Sequence, residues 1–305
     1  MSEIVLPATR SSPLQRVRFI PIALTALLTL YAFSRVLEVL PTSSPSTPIV
    51  ALEILSALAF ALIHGAQHYR LGGILTFATI TFVMGNLIES VGVLTGFPFG
   101  HYEFLPLMGP QLNHIPILLG LAYIGMAYAA WTLARLILHA TAPPRGSQLI
   151  SLPILAALIM TAWDFAQDPV WSTLLHAWRW RDGGPWFGVP LINYAGWLLT
   201  VFLIYLAFAL YLRRSVVSPA PIRPYWRAAI LLYTFCAIGN ALQLLRTQTA
   251  DLIADQTGTL WHTATILRAS AMVSIFIMGS FVVVASLNLR KRDDSETGAE
   301  SSQQP

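Results

Sequence analysis

Residues 49–95 read IVALEILSALAFALIHGAQHYRLGGILTFATITFVMGNLIESVGVLT, and only Glu53, Arg70 and Glu89 among them carry a formal charge. A helix needs about 20 apolar residues to cross a hydrocarbon core of about 30 Å. The stretch therefore reads as two crossings, 49–69 and 71–95, with Arg70 at the turn between them. Comparable runs at 19–40, 114–138, 149–168, 190–212, 226–246 and 261–289 bring the expected number of spans to eight. None alternates like a barrel strand, and lipid offers no partner for backbone N–H and C=O groups, so the expected class is an all-α, polytopic membrane helical bundle. The composition agrees: 55% of residues are hydrophobic and 10% are charged, against about 25% charged in an ordinary soluble domain.

Lysine and arginine set the expected orientation, because short cytoplasmic loops retain them. With both termini cytoplasmic, thirteen fall at cytoplasmic ends (Arg10, Arg16, Arg18, Arg70, Arg135, Arg145, Arg213, Arg214, Arg223, Arg227, Arg290, Lys291 and Arg292). Arg179, Arg181 and Arg246 fall at the other face, and Arg35 and Arg268 lie within spans. The basic balance thus reports topology and contact with the lipid bilayer, and gives no reason to invoke nucleic acid. Residues 17–290 form one membrane-embedded domain between polar, mobile tails at 1–16 and 291–305. The first apolar run lacks a small-residue cleavage site and is expected to be retained. No internal repeat is visible, and Cys236 reads as a small buried apolar residue.

Ionisable groups within spans are expensive and usually face the bundle interior. Counted from the outer span ends at about 1.5 Å per residue, Glu89 lies roughly 10 Å deep, Asp164 about 7 Å, Asn240 about 9 Å and Arg268 about 10 Å. Arg35 and Glu53 fall in the same layer, so six helices are expected to build one polar chamber. The alternative is a set of ion bridges that fix helix packing, and Arg35 with Glu38, at i and i+3, reads as such a pair. Asp164 and Asp168, at i and i+4, share a helix face. Pro169 is expected to end that helix and leave Asp168 at the mouth. Arg268 and Asn240 are expected to support the acids, with Glu89 or Asp164 as the carboxylate partner of Arg268.

His64 and His68 have the spacing of a metal pair but no acidic or cysteine companion, so they read as interfacial polar residues. His101 and His262 read as solvated. Two longer loops, 96–113 and 169–189, are crowded with glycine, proline and aromatic residues, as compact or re-entrant segments over a bundle would be. Trp163, Trp171, Trp178, Trp180 and Trp186 are either an interfacial belt or the lining of a site for an apolar polyene or a developing cation.

The segments ESVGVLTGFPFGHYEF (89–104), MGPQLNHIP (108–116), WDFAQDPVW (163–171) and WRWRDGGPWFGVPLINYAGW (178–197) resemble, in this order, the integral-membrane carotenoid biosynthesis family. That family includes the carotenoid 1,2-hydratases and bisanhydrobacterioruberin hydratases. The resemblance implies a hydro-lyase that adds water across the terminal 1,2 double bond of an acyclic carotenoid end, of the lycopene or gamma-carotene type, in a bacterial or archaeal cell membrane. Glu89, Asp164 and Asp168 match as catalytic candidates. Phe97, Phe99, Tyr102, Trp163, Trp180, Trp186 and Asn193 are the expected substrate contacts, and other carotenoid-modifying enzymes are candidate partners. Such an alkene must be protonated at its less substituted carbon, and both burial and a second carboxylate help an acid keep its proton near neutrality. Asp164, one turn deeper than Asp168, is the expected donor. This chemistry calls for no cofactor or metal. The rival enzyme is an end-group cyclase that starts from the same protonation; the rival of another class is a transporter or scaffold.

Overall fold

The structure, a computed structural model, describes residues 13–40, 46–218, 221–246 and 250–301, with side chains between residues 20 and 292. Of the expected mobile tails, residues 1–12 and 302–305 lie outside the described residues, while residues 13–16 open α1 and residues 291–301 continue α8. Among the described residues, seven helices are long and apolar enough to cross a membrane. They are α1 (Pro13–Leu37), α2 (Thr47–Thr95), α3 (Ile117–Ile137), α4 (Gln148–Pro169), α5 (Leu191–Leu212), α6 (Arg223–Leu242), and a rod formed by α7 (Thr263–Val273) and α8 (Gly279–Ser301).

Helix α2 makes two of the crossings. At Arg70 the backbone leaves the helix (φ 59, ψ 171), and the two arms fold back on each other. Residues 65 and 74 would stand about 13 Å apart along a straight helix, yet a Cβ on Gly65 would collide with the Ile74 side chain. Tyr69 and Phe77 both pack edge-on against Phe208, with centroids 5.4 and 4.9 Å away. With α2 counted as two arms, the seven helices among the described residues correspond to the eight expected spans.

Helix α3 is the bundle's axis. Its small residues Ala127, Ala129, Ala130 and Ala134 are fully buried and let neighbouring helices approach closely, which is how helices associate where lipid supplies no hydrophobic drive. The outward positions are apolar, with Leu71, Leu87, Leu94 and Phe276 each more than 60% exposed, the pattern of a surface that meets hydrocarbon.

His64 and His68 are buried, so they are not interfacial. Their arm packs inside the bundle, where His64 Nδ1 lies 2.6 Å from the Tyr128 hydroxyl and Nε2 lies 2.8 Å from the Tyr225 carbonyl oxygen. Among the described residues no group of three His, Cys, Asp or Glu is placed to hold a metal ion.

The two aromatic loops fold into one lid. Strand β1 (Tyr102–Phe104) from the first pairs antiparallel with β4 (Trp178–Trp180) from the second, and Tyr102 stands opposite Trp180. On the outward side Glu103 of β1 forms ion pairs with Arg179 and, at 3.5 Å, with Arg181. Alternation along the strands turns Tyr102, Trp178 and Trp180 the other way, down onto the helix ends.

Candidate active site

Under this lid the ends of α2, α3, α4 and α5 enclose a cavity with about 370 Å³ of empty space, and Glu89, Asp164 and Asn193 are in its wall. Asp168 sits one helical turn beyond Asp164 and is buried, not at a watery mouth. Pro169 does not stop the helix there. A π-helical turn, Val170–Leu174, carries the chain onward and accommodates the missing proline N–H, so Asp168 stays beneath the lid.

The two aspartates differ in their partners. Asp168 accepts hydrogen bonds from Trp178 Nε1 (2.8 Å) and Trp180 Nε1 (3.3 Å) on Oδ1, and from Asn193 Nδ2 (2.7 Å) on Oδ2. Asp164 accepts one, from the same Asn193 nitrogen at 3.1 Å. Three donors suit a carboxylate that only accepts. Asp164 faces the cavity with capacity left over.

Glu89 is clamped by two phenols: Tyr102 donates to one carboxyl oxygen and Tyr123 to the other. Burial, and then the nearby Glu89 charge, push the Tyr102 phenol well above its ordinary value, so it keeps its proton and remains a donor. Aromatic faces complete the walls: Phe99, Phe104, Trp163, Trp178, Trp180 and Trp197.

A second cavity, with about 510 Å³ of empty space, adjoins the first through the shared residues Leu119, Trp163, Gln167 and Trp178. Its lining is mostly aliphatic and aromatic, including Val50, Ile54, Ala57, Met108, Met126 and Trp171. At its edge lie Tyr31 and Glu53.

Of the residues expected from sequence, the structure gathers Glu89, Asp164, Asp168, Phe99, Tyr102, Trp163, Trp180 and Asn193. Four others lie elsewhere. Phe97 is 67% exposed. Trp186 stacks on Phe165 at 4.7 Å, outside the cavity lining. Asn240 belongs to a separate cluster, where it accepts from Arg35 Nη2 at 2.6 Å. Arg268 is exposed on α7, and among the described residues no ion pair joins it to Glu89 or Asp164. Ile266, Leu267 and Ser270 are the inward positions of that helix, and Arg268, midway along its 11 residues, stands on the outward side.

The expected single chamber is thus two clusters. Arg35 binds Glu38 at 2.8 Å and Glu53 at 2.9 Å, and Gln243 donates to Glu38 at 3.1 Å. Two carboxylates satisfy that buried cation, which leaves the Glu89–Asp164–Asp168 acids without a cationic partner among the described residues. Sequence reasoning did not single out Tyr123 and Gln167, although a phenol and an amide in apolar runs were the available signal.

A family model described as carotenoid biosynthesis protein matches residues 49–259. The bisanhydrobacterioruberin hydratase of Haloarcula japonica is 32% identical over 114 residues, a stretch that covers 37% of this chain and 37% of that relative. No solved structure matches the chain at a significant level.

Proposed function

This chain belongs to the carotenoid biosynthesis protein family, and from that membership we propose that it is a carotenoid hydratase acting on the terminal isopropylidene double bond of an acyclic end group. The observation that carries the reading is a cavity with Glu89 and Asp164 in its wall, walled otherwise by aromatic rings and adjoining an apolar one, with buried Asp168 one helical turn from Asp164. The polyene body occupies the apolar cavity, and its end group passes Trp163 and Gln167 to reach the acids.

Asp164 transfers its proton to the less substituted alkene carbon, C2, and the positive charge develops on the tertiary carbon, C1. The faces of Trp163, Trp178, Trp180 and Trp197 stabilise that charge without bonding to it. Water held by Glu89 attacks C1, and Glu89 takes up the proton released, as a general base within hydrogen-bond reach can. Proton transfer back to Asp164 resets the site. The sum is one water added and a tertiary alcohol formed. Asp168, fixed by Trp178, Trp180 and Asn193, keeps its charge beside the site throughout and balances the developing cation. The chemistry is written with this chain's own side chains and no cofactor. The site of action we assign is a bacterial or archaeal cell membrane.

Expression in a host that accumulates lycopene tests this reading. Pigments heavier by one or two waters are expected. An isomer of unchanged mass would identify an end-group cyclase, and unaltered lycopene beside abundant inserted protein would favour a transporter or scaffold.

A further inference from the structure

Away from the acids, a long groove runs along the seam between α6 and α8. Its first half has about 780 Å³ of empty space lined by Arg223, Arg227, Ile230, Thr234, Val282 and Arg290, among others. Its second half, about 730 Å³, continues from the shared Thr234 and Val282 to Leu245 and Ile275 and is almost wholly apolar. Arg227 and Arg290, with Arg223 beside them, therefore stand at one end of an apolar trough that has no carboxylate in its lining among the described residues. Neither Arg227 nor Arg290 forms an ion pair among the described residues. Like charges gathered in this way repel, and an anion held between them relieves the repulsion.

The dimensions select the kind of anion. From Arg223 to Thr234 the helix rises about 17 Å, close to one leaflet of a hydrocarbon core of about 30 Å. The charged end is also the end that the arginine distribution assigns to the cytoplasmic face, where anionic lipid heads gather. We propose that this half-groove is a binding site for one anionic diester phospholipid, with its phosphate between Arg227 and Arg290 and one acyl chain along Ile230, Leu231 and Val282. A polyene carries no charge for the arginines, and a second copy of this acid-poor chain would have to bury an acidic surface there.

Native mass spectrometry of the purified full-length protein, offered equal amounts of phosphatidylglycerol and phosphatidylcholine with identical chains, tests this site. Arg227 and Arg290 each contribute roughly fivefold to anionic-lipid binding, so phosphatidylglycerol should be retained roughly 25-fold in preference. The double variant R227Q/R290Q should lower that preference roughly 25-fold, while R213Q/R214Q, two exposed arginines at the end of α5, should leave it unchanged. Thr234→Trp fills the apolar floor and leaves the arginines, and it should also cut phosphatidylglycerol retention. Inorganic phosphate in excess should not displace the lipid. Equal retention of the two lipids, a preference that survives R227Q/R290Q, equal loss in R213Q/R214Q, or displacement by phosphate would each overturn the assignment.

Discussion

Asp164 and Asp168 accept hydrogen bonds from one and the same atom, Nδ2 of Asn193, at 3.1 and 2.7 Å. Asn193 is buried on α5, so a side chain from a neighbouring helix fixes the separation of two acids one turn apart on α4. Without that donor the carboxylates are free to turn away from each other, and a misplacement of about 1 Å at a reacting group can cost about 10²-fold in rate. Asn193→Leu and Asn193→Asp should both lower product formed per inserted protein by about that factor. The first removes the donor outright, and the second keeps the shape but replaces the amide with a third acid. Near-normal turnover in Asn193→Leu would mean that the bridge is not needed.

Glu89 provides the next test, since Tyr102 and Tyr123 each hold one of its oxygens. As the group that takes the proton from water, it should contribute about 10²- to 10⁴-fold, and Glu89→Gln should lose that much. Tyr123→Phe frees one oxygen and leaves the carboxylate in place, so its loss should be smaller, about tenfold. Kinetics in which Tyr123→Phe is the more damaging change would assign the phenol a direct role in place of a positioning one.

Arg35 and Arg268 should part company in stability. Removing Arg35 leaves the buried Glu38 and the partly buried Glu53 without their cation, an uncompensated charge that costs roughly 3–5 kcal/mol. Gly239 makes room for that guanidinium, because a Cβ there would strike the Arg35 side chain. Arg35→Leu should sharply reduce the folded protein recovered from membranes, and Arg268→Leu should leave it unchanged. Comparable recovery of both variants would refute the placement of the buried ion cluster.

Orientation follows from the reversal at Arg70 together with the arginine count. Reporter fusions after residues 145 and 218 should behave as cytoplasmic, and fusions near residues 110 and 255 as external. A cytoplasmic signal near residue 110 would invert the topology while leaving the lid and the acids together on one face.

The spans were legible because lipid leaves a chain no choice: runs such as 49–69 and 71–95 must be helical crossings. The acid pair was legible because i and i+4 positions share a face whatever surrounds them. Depth alone misled for Arg268, since counting residues from a span end says how far down a side chain begins and nothing about which way it points. Asp168 was misplaced for a local reason, the π-helical turn that carries α4 past Pro169. The clamps on Glu89 and Asp168 were out of reach because Tyr102, Trp178 and Trp180 arrive on strands whose pairing joins residues some 75 apart in sequence, and nothing in either loop announces its partner.

The most direct test of the central claim, that Asp164 protonates the alkene and water captures the cation, is product mass after reaction in D2O, followed by back-exchange in ordinary water. One carbon-bound deuterium at C2 and one added water per modified end are expected for the natural chain. Asp164→Asn should give no product from normally inserted protein, and Asp168→Asn should retain measurable activity with the same labelling. A hydroxylated product without carbon-bound deuterium, or full turnover in Asp164→Asn, would contradict the account.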